Sequence, residues 1–308
     1  MSYIFILFAL VIFVLILNKL FKNTNFYKNK FIDTYKFKDI PKNFEIVNLG
    51  SNQPKFAFDY SKVELSGMNW AVGPQSFEYD LKVLKNYHTS FKKKSKVIIP
   101  ICPFSFFFLH DKNKTAHHKY YNFLNPSLID NYSNVTKTLF IDYPIFTAKK
   151  QILRIIKDVK PDNRLDLELN PMKDEEIKKD AQKWVDGWKK QFQISDLENV
   201  ILSDENKNSI EKNIEILKEM IDFCIDKDYE PILLVLPATK ELTSHFPDRF
   251  VQKYIMDYIN QSNEKNIKFL NYWKDERFES EELYFNSFFM NKNGRLKFAA
   301  QVIEDLAK

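Results

Sequence analysis

The chain sorts into blocks of apolar and polar positions. Tyr3–Leu17 is almost wholly apolar, and extending the run to Phe21 gives about 19 residues, near the roughly 20 that cross a bilayer as a helix. It carries no charge, Pro or Gly before Lys19. Residues 22–43 are polar with scattered aromatics and no clear period, and read as a stem. Phe44, Ile46, Val47 and Leu49 then form a short strand that ends at Gly50. Met68–Val72, Lys96–Cys102, Pro231–Leu236 and Ile267–Leu270 are further apolar runs of strand length, the form expected of parallel strands buried on both faces. Between them lie stretches of helical period. Phe77, Leu81, Leu84 and Phe91 mark one helix face, with Lys92–Lys94 as its cationic end. Trp184, Trp188 and Phe192 mark a second, over Glu175–Phe192, and Ile210, Ile214, Leu217, Ile221 and Cys224 a third, over Ser209–Asp226. Further helices are expected over 147–159, Phe250–Ile259 and Arg295–Ala307. Alternating strands and helices predict an α/β domain over 44–308 with a doubly wound, mostly parallel sheet. Residues 103–200, rich in aromatics and helix, read as an insertion that caps it.

Composition narrows the function. The 46 basic residues are nearly balanced by 41 acidic ones, for a net charge of +5. That balance argues against a nucleic-acid partner. Five glycines and the absence of any Gly-rich phosphate motif argue against a nucleotide cofactor, and no cofactor is assigned. Cys102 and Cys224 read as buried free thiols, with a disulfide as the alternative. His110, His117 and His118 lie close together, but no carboxylate or cysteine joins them at a ligand spacing, so no metal is assigned. The Trp184–Phe192 stripe reads as core packing, with a sugar-stacking platform as the alternative.

The N-terminal run lacks both the basic n-region and the small-residue cleavage site of a signal peptide, and so reads as an uncleaved single-pass anchor. Lys19, Lys22, Lys28 and Lys30 all follow it, and by the positive-inside bias the soluble part would stay in the cytoplasm.

Two stretches carry a resemblance. Asn48–Asn52 reads N-L-G-S-N, and Tyr284–Arg295 reads YFNSFFMNKNGR. The first resembles the opening block of SGNH (GDSL-type) hydrolases, and above all their membrane-anchored DltD-like branch, which has N-L-G-S-S there. The second is similar to the closing block of the same fold, where a D-x-x-H pair precedes the last helix. The resemblance spans roughly 44–305. It implies a flavodoxin-like α/β fold, an extracytoplasmic domain, and a role in cell-surface polysaccharide modification, with a polysaccharide or acyl-carrying ligand and partner membrane proteins. The extracytoplasmic side conflicts with the charge bias after the helix.

Carried over residue by residue, the nucleophile falls on Asn52, with Ser51 beside it, the carboxylate on Asn286 and the base on Phe289. An amide cannot become an alkoxide and a phenyl ring cannot carry a proton, so the triad is replaced at every position. The reading that follows is a binding or accessory protein with a degenerate site at Ser51, Asn52, Gln53, Asn69, Asn286 and Phe289. The alternative is an acyl esterase or O-acetyltransferase in which Ser51 is activated by a repositioned His245, oriented by Asp248 or Asp59.

The anchor makes a direct prediction: the full-length chain should partition into the membrane fraction and float with vesicles. Recovery in the soluble fraction would contradict it.

Overall fold

The computed structural model describes residues 2–109, 114–147, 153, 155 and 172–308. The helix expected over 147–159 and His110 therefore lie almost wholly outside the described residues. The chain divides into two compact units, one built from Met1–Ile40 with Asn113–Leu167, the other from Pro41–Lys112 with Glu168–Lys308.

In the first unit, α1 (Ser2–Lys22) is long and apolar enough to cross a membrane, and its Tyr3–Ile16 face is largely exposed. The stretch expected to be an irregular stem is helical. Thr24 caps α2 (Asn25–Phe31) through a hydrogen bond from the Tyr27 N–H, and a 3-10 helix follows over Ile32–Phe37. Phe21, Tyr27, Phe31 and Ile141 form a buried cluster. The Tyr27 hydroxyl donates to the Ile141 carbonyl at 3.1 Å, and Asn18 Nδ2 donates to the Asp142 carbonyl at 2.8 Å. Residues near 141 thus group with the N-terminal helices, whereas the Trp184–Phe192 helix belongs to the sheet unit.

The second unit holds five strands, β1 (Phe44–Asn48), β2 (Gly67–Asn69), β3 (Phe91–Ile101), β4 (Glu230–Val235) and β5 (Phe269–Asn271), all parallel and ordered β2-β1-β3-β4-β5. The mixed α/β class expected from the pattern is thus present, and the sheet is entirely parallel. Strand β3 starts earlier than its apolar run. Phe91–Lys94 was expected to end a helix, but α4 (Phe77–Tyr87) stops sooner and Phe91 pairs with Phe44. A register shift follows, with Ile46 opposite Lys96 and Lys94 at φ 60°. The bulge leaves Lys92–Lys94 in solvent. Lys92 pairs with Glu45 at 3.2 Å and Lys94 with Asp228 at 2.7 Å, exposed bridges of small worth.

Alternation along the strands divides the sheet's faces. Ile46, Ile98 and Leu234 pack against Phe298, Ala299 and Val302 of the last helix, Lys292–Ala307. The other parity carries Val47, Val97, Ile99, Leu233 and Val235, all buried. The other long helices are α5 (Asp174–Gln191), whose first turn is acidic, and α6 (Asp204–Asp226), which packs on both β4 and α4. The expected Phe250–Ile259 helix is interrupted by a π-turn over Gln252–Met256.

Leu234 lies fully buried at the middle of this core. Leu234→Ala should cost roughly 2–5 kcal/mol, because the sheet cannot collapse into the void. Chemical denaturation will measure it, and a loss under about 1 kcal/mol would contradict the packing described.

Candidate functional site

In a sheet of order 2-1-3-4-5 the connections reverse direction between β1 and β3, and the carboxyl ends of those strands part to leave a crevice. The turn after β1 and the turn after β3 border a cavity at that point. Gly50–Gln53 contribute from the first, and Pro100 and Cys102–Ser105 from the second. Its volume is about 200 Å³. An apolar cavity of about 150 Å³ holds benzene, so one six-membered ring fits here.

The turn is fixed by backbone geometry and one carboxylate. Gly50 has φ +113°, and a Cβ there would lie 2.5 Å from Pro54 Cγ, so no side chain is tolerated. The Gly50 N–H donates to Asp80 Oδ1 at 2.7 Å, and Gln75 Nε2 donates to the same oxygen at 2.6 Å. Asp80 is buried on α4. The Gln75 backbone N–H donates to Ser51 Oγ at 2.9 Å. The polar floor of the cavity is therefore one network of Ser51, Gln75 and Asp80. Burial, opposed by Ser105 and aided by the Asp80 charge, pushes the Cys102 thiol up to about 12.

The wall is aromatic. Phe104 meets Trp188 at 5.4 Å and Phe192 at 5.1 Å, and Trp184 meets Phe288 and Phe289 at 5.3 Å each. All six of these rings line the cavity. Trp184 and Trp188 come from α5 and are half-buried, so the stripe serves packing and cavity lining together. The 285–289 loop is held in shape from three sides. Asn286 Oδ1 accepts from the N–H groups of Phe288 and Phe289, the Ser287 hydroxyl donates to Asp180 of α5 at 2.6 Å, and Thr239 Oγ1 donates to the Ser287 carbonyl.

The residues singled out from sequence separate into two sets. Ser51, Asn52, Gln53 and Phe289 line the cavity together. Phe289 also packs on Phe56, one residue past α3 (Asn52–Lys55), at 5.1 Å. Gln53 Nε2 donates to the Pro237 carbonyl, tying the first turn to the end of β4. Asn69 and Asn286 do not line the cavity. Asn69 Nδ2 donates to the carbonyls of Pro54, Lys55 and Phe58 and its Oδ1 accepts from Asn48 and Ala71, so its amide holds the turn from behind. Asn286 spends its oxygen on its own loop. His245 sits on the turn after the Lys240–Thr243 helix, and no described histidine lines the cavity. Asp248 is engaged elsewhere, with Lys274 at 2.8 Å. Among the described residues no cluster of His, Cys, Asp and Glu has the form of a metal site.

Sequence reasoning missed Gln75 and Asp80. Asp80 falls between the apolar positions that mark the α4 face, and a lone acid there reads as solvated. The available signal was its place in the first turn of a helix that follows the β2 strand.

At the far end of the wall, Glu281 is drawn up to about 7, first by burial, then by hydrogen bonding and charge repulsion from Glu241, and then by Asp174 at the start of α5. The folded state thus holds a proton that the unfolded chain, with an ordinary carboxyl near 4.5, releases. The stabilisation is full below 4.5 and is lost as pH rises through about 7. Glu281→Gln should flatten the fall in melting temperature between pH 5 and 8 and raise it at pH 8. An unchanged slope would show that no proton is held there.

Comparison with known families finds no family model that matches this chain, and none of the curated proteins matches it.

Proposed function

We propose that this is a membrane-anchored, SGNH-hydrolase-like protein without a working triad, which binds a sugar ring of a cell-surface polysaccharide as an accessory component of its assembly or modification. The single observation that carries this reading is the cavity at the β1/β3 reversal. One side offers indole and phenyl faces and the other offers hydroxyl, amide and carboxylate groups. Sugars have that same division, with C–H faces that lie on aromatic rings and hydroxyls that need fixed polar partners.

Supporting the binding role over acyl transfer is what surrounds Ser51. A serine hydroxyl is a weak nucleophile unless a base takes its proton. Ser51 Oγ accepts a hydrogen bond from the Gln75 N–H, Phe289 is among the rings that line the same cavity, and no described histidine lines it, His245 included. The anchor is α1, whose apolar length supports a single pass.

Titration of the full-length protein with neutral mono- and oligosaccharides, followed by tryptophan fluorescence, tests the reading. Trp188→Ala should weaken binding by roughly 2 kcal/mol, about thirtyfold, as loss of a central aromatic anchor does. Simple acyl esters should not turn over, and a serine-directed phosphonate should leave Ser51 unlabelled. Stoichiometric labelling of Ser51, abolished by His245→Ala, would establish an esterase instead.

A further inference from the structure

The first unit contains a second cavity, of about 380 Å³, at the carboxyl end of α1. Lys22 from the last turn of α1, Lys28 from α2 and Lys38 just past the following 3-10 helix all border it, together with Tyr27, Tyr35 and Asn122. Among the described residues, none of the three lysines takes part in an ion pair. Lys22 reaches only a backbone carbonyl, that of Asp142, at a long 3.4 Å. Of the described residues that border the cavity, three are lysines and none is acidic. Lys38 lies 4.6 Å from the Tyr35 ring centre, which holds its ammonium beside the opening. Asn122 Nδ2 is buried and has no hydrogen-bond partner among the described residues. A buried donor in that condition is costly unless an acceptor arrives.

Position selects the ligand. Helix α1 has 21 residues, about 31 Å at 1.5 Å per residue, which matches the hydrocarbon core of a bilayer. Where α1 spans, Lys22 stands at the boundary between acyl chains and headgroups, and the cavity that begins there lies at headgroup depth. Tyrosines are favoured at that depth because a ring and a hydroxyl meet both phases. Anionic headgroups are attracted by lysines just outside a membrane helix.

We propose that this cavity binds the phosphate head of an anionic membrane lipid, with Lys22, Lys28 and Lys38 carrying the charge and Asn122 donating the neutral hydrogen bond. The proposal rests on the anchoring role of α1 but not on any property of the sheet unit. Binding would fix the orientation of the helical base on the membrane and make it depend on lipid composition.

The test uses full-length protein in neutral detergent, titrated with dioctanoyl phosphatidylglycerol, with dioctanoyl phosphatidylcholine and with inorganic phosphate, each read by thermal shift. Phosphatidylglycerol should raise the melting temperature and saturate, while the other two at equal concentration should not. Lys28→Gln and Lys38→Gln, at exposed positions that cannot disturb the fold, should each weaken the half-saturating concentration about fivefold. Phosphatidylglycerol binding that is unchanged in the double variant would overturn the proposal. So would inorganic phosphate acting as well as the lipid, which would make this a site for soluble anions. Vesicle flotation of the same protein separates the two failures: a chain that does not float refutes the anchor, whatever the titration gives.

Discussion

One carboxylate oxygen holds the sheet unit's cavity together. Asp80 Oδ1 accepts from the Gly50 N–H and from Gln75 Nε2, and Gln75 in turn donates its own N–H to Ser51. These bonds join the end of β1, the segment before α4 and α4 itself. Hydrogen bonds to a charged acceptor are about twice as strong as neutral ones, and here they are shielded from water. Without the carboxylate the Gly50 N–H would be buried and unpaired, on a turn whose backbone only glycine can adopt. The Ser51 oxygen is positioned as a consequence, because it accepts from the Gln75 N–H that the same network holds in place.

From this floor the rest of the cavity follows by packing. Helix α5 brings Trp184 and Trp188 across from the turn, and Asp180 on the same helix anchors Ser287. That contact, with the Asn286 oxygen inside its loop, sets where Phe288 and Phe289 stand. A loop otherwise free to move is thereby held on the wall of the crevice. The two cavities differ in chemistry because they differ in setting. The one at the sheet edge joins aromatic faces to a carboxylate and amides, while the one at the end of α1 gathers ammonium groups and phenols.

Much of the fold was legible in the sequence, because burial on both faces forces parallel strands to read as unbroken apolar runs. PILLVL and KVIIPIC show this directly, and the long helices showed their period. The charged opening of β3 was not legible. Lys92–Lys94 lie where a bulge turns the strand out to solvent, and nothing local distinguishes that from a helix end. The helices after α1 were not legible either, since Phe21, Tyr27 and Phe31 find their partner in Ile141, more than a hundred residues away.

For the site, the sequence by itself determined which functional groups are present: Asn52 and Asn286 carry amides and Phe289 a phenyl ring, and none of these side chains relays a proton. It also placed Ser51, Asn52, Gln53 and Phe289 among the residues to watch. Only the tertiary structure decided what each one does. Asn69, Asn286 and Gln53 all give part of their amides to nearby backbone, yet only Gln53 also lines the cavity, together with Ser51 and Phe289. Hydrogen-bond partners and cavity walls are set by residues distant in the chain, and a linear pattern holds no record of which distant residues will be neighbours.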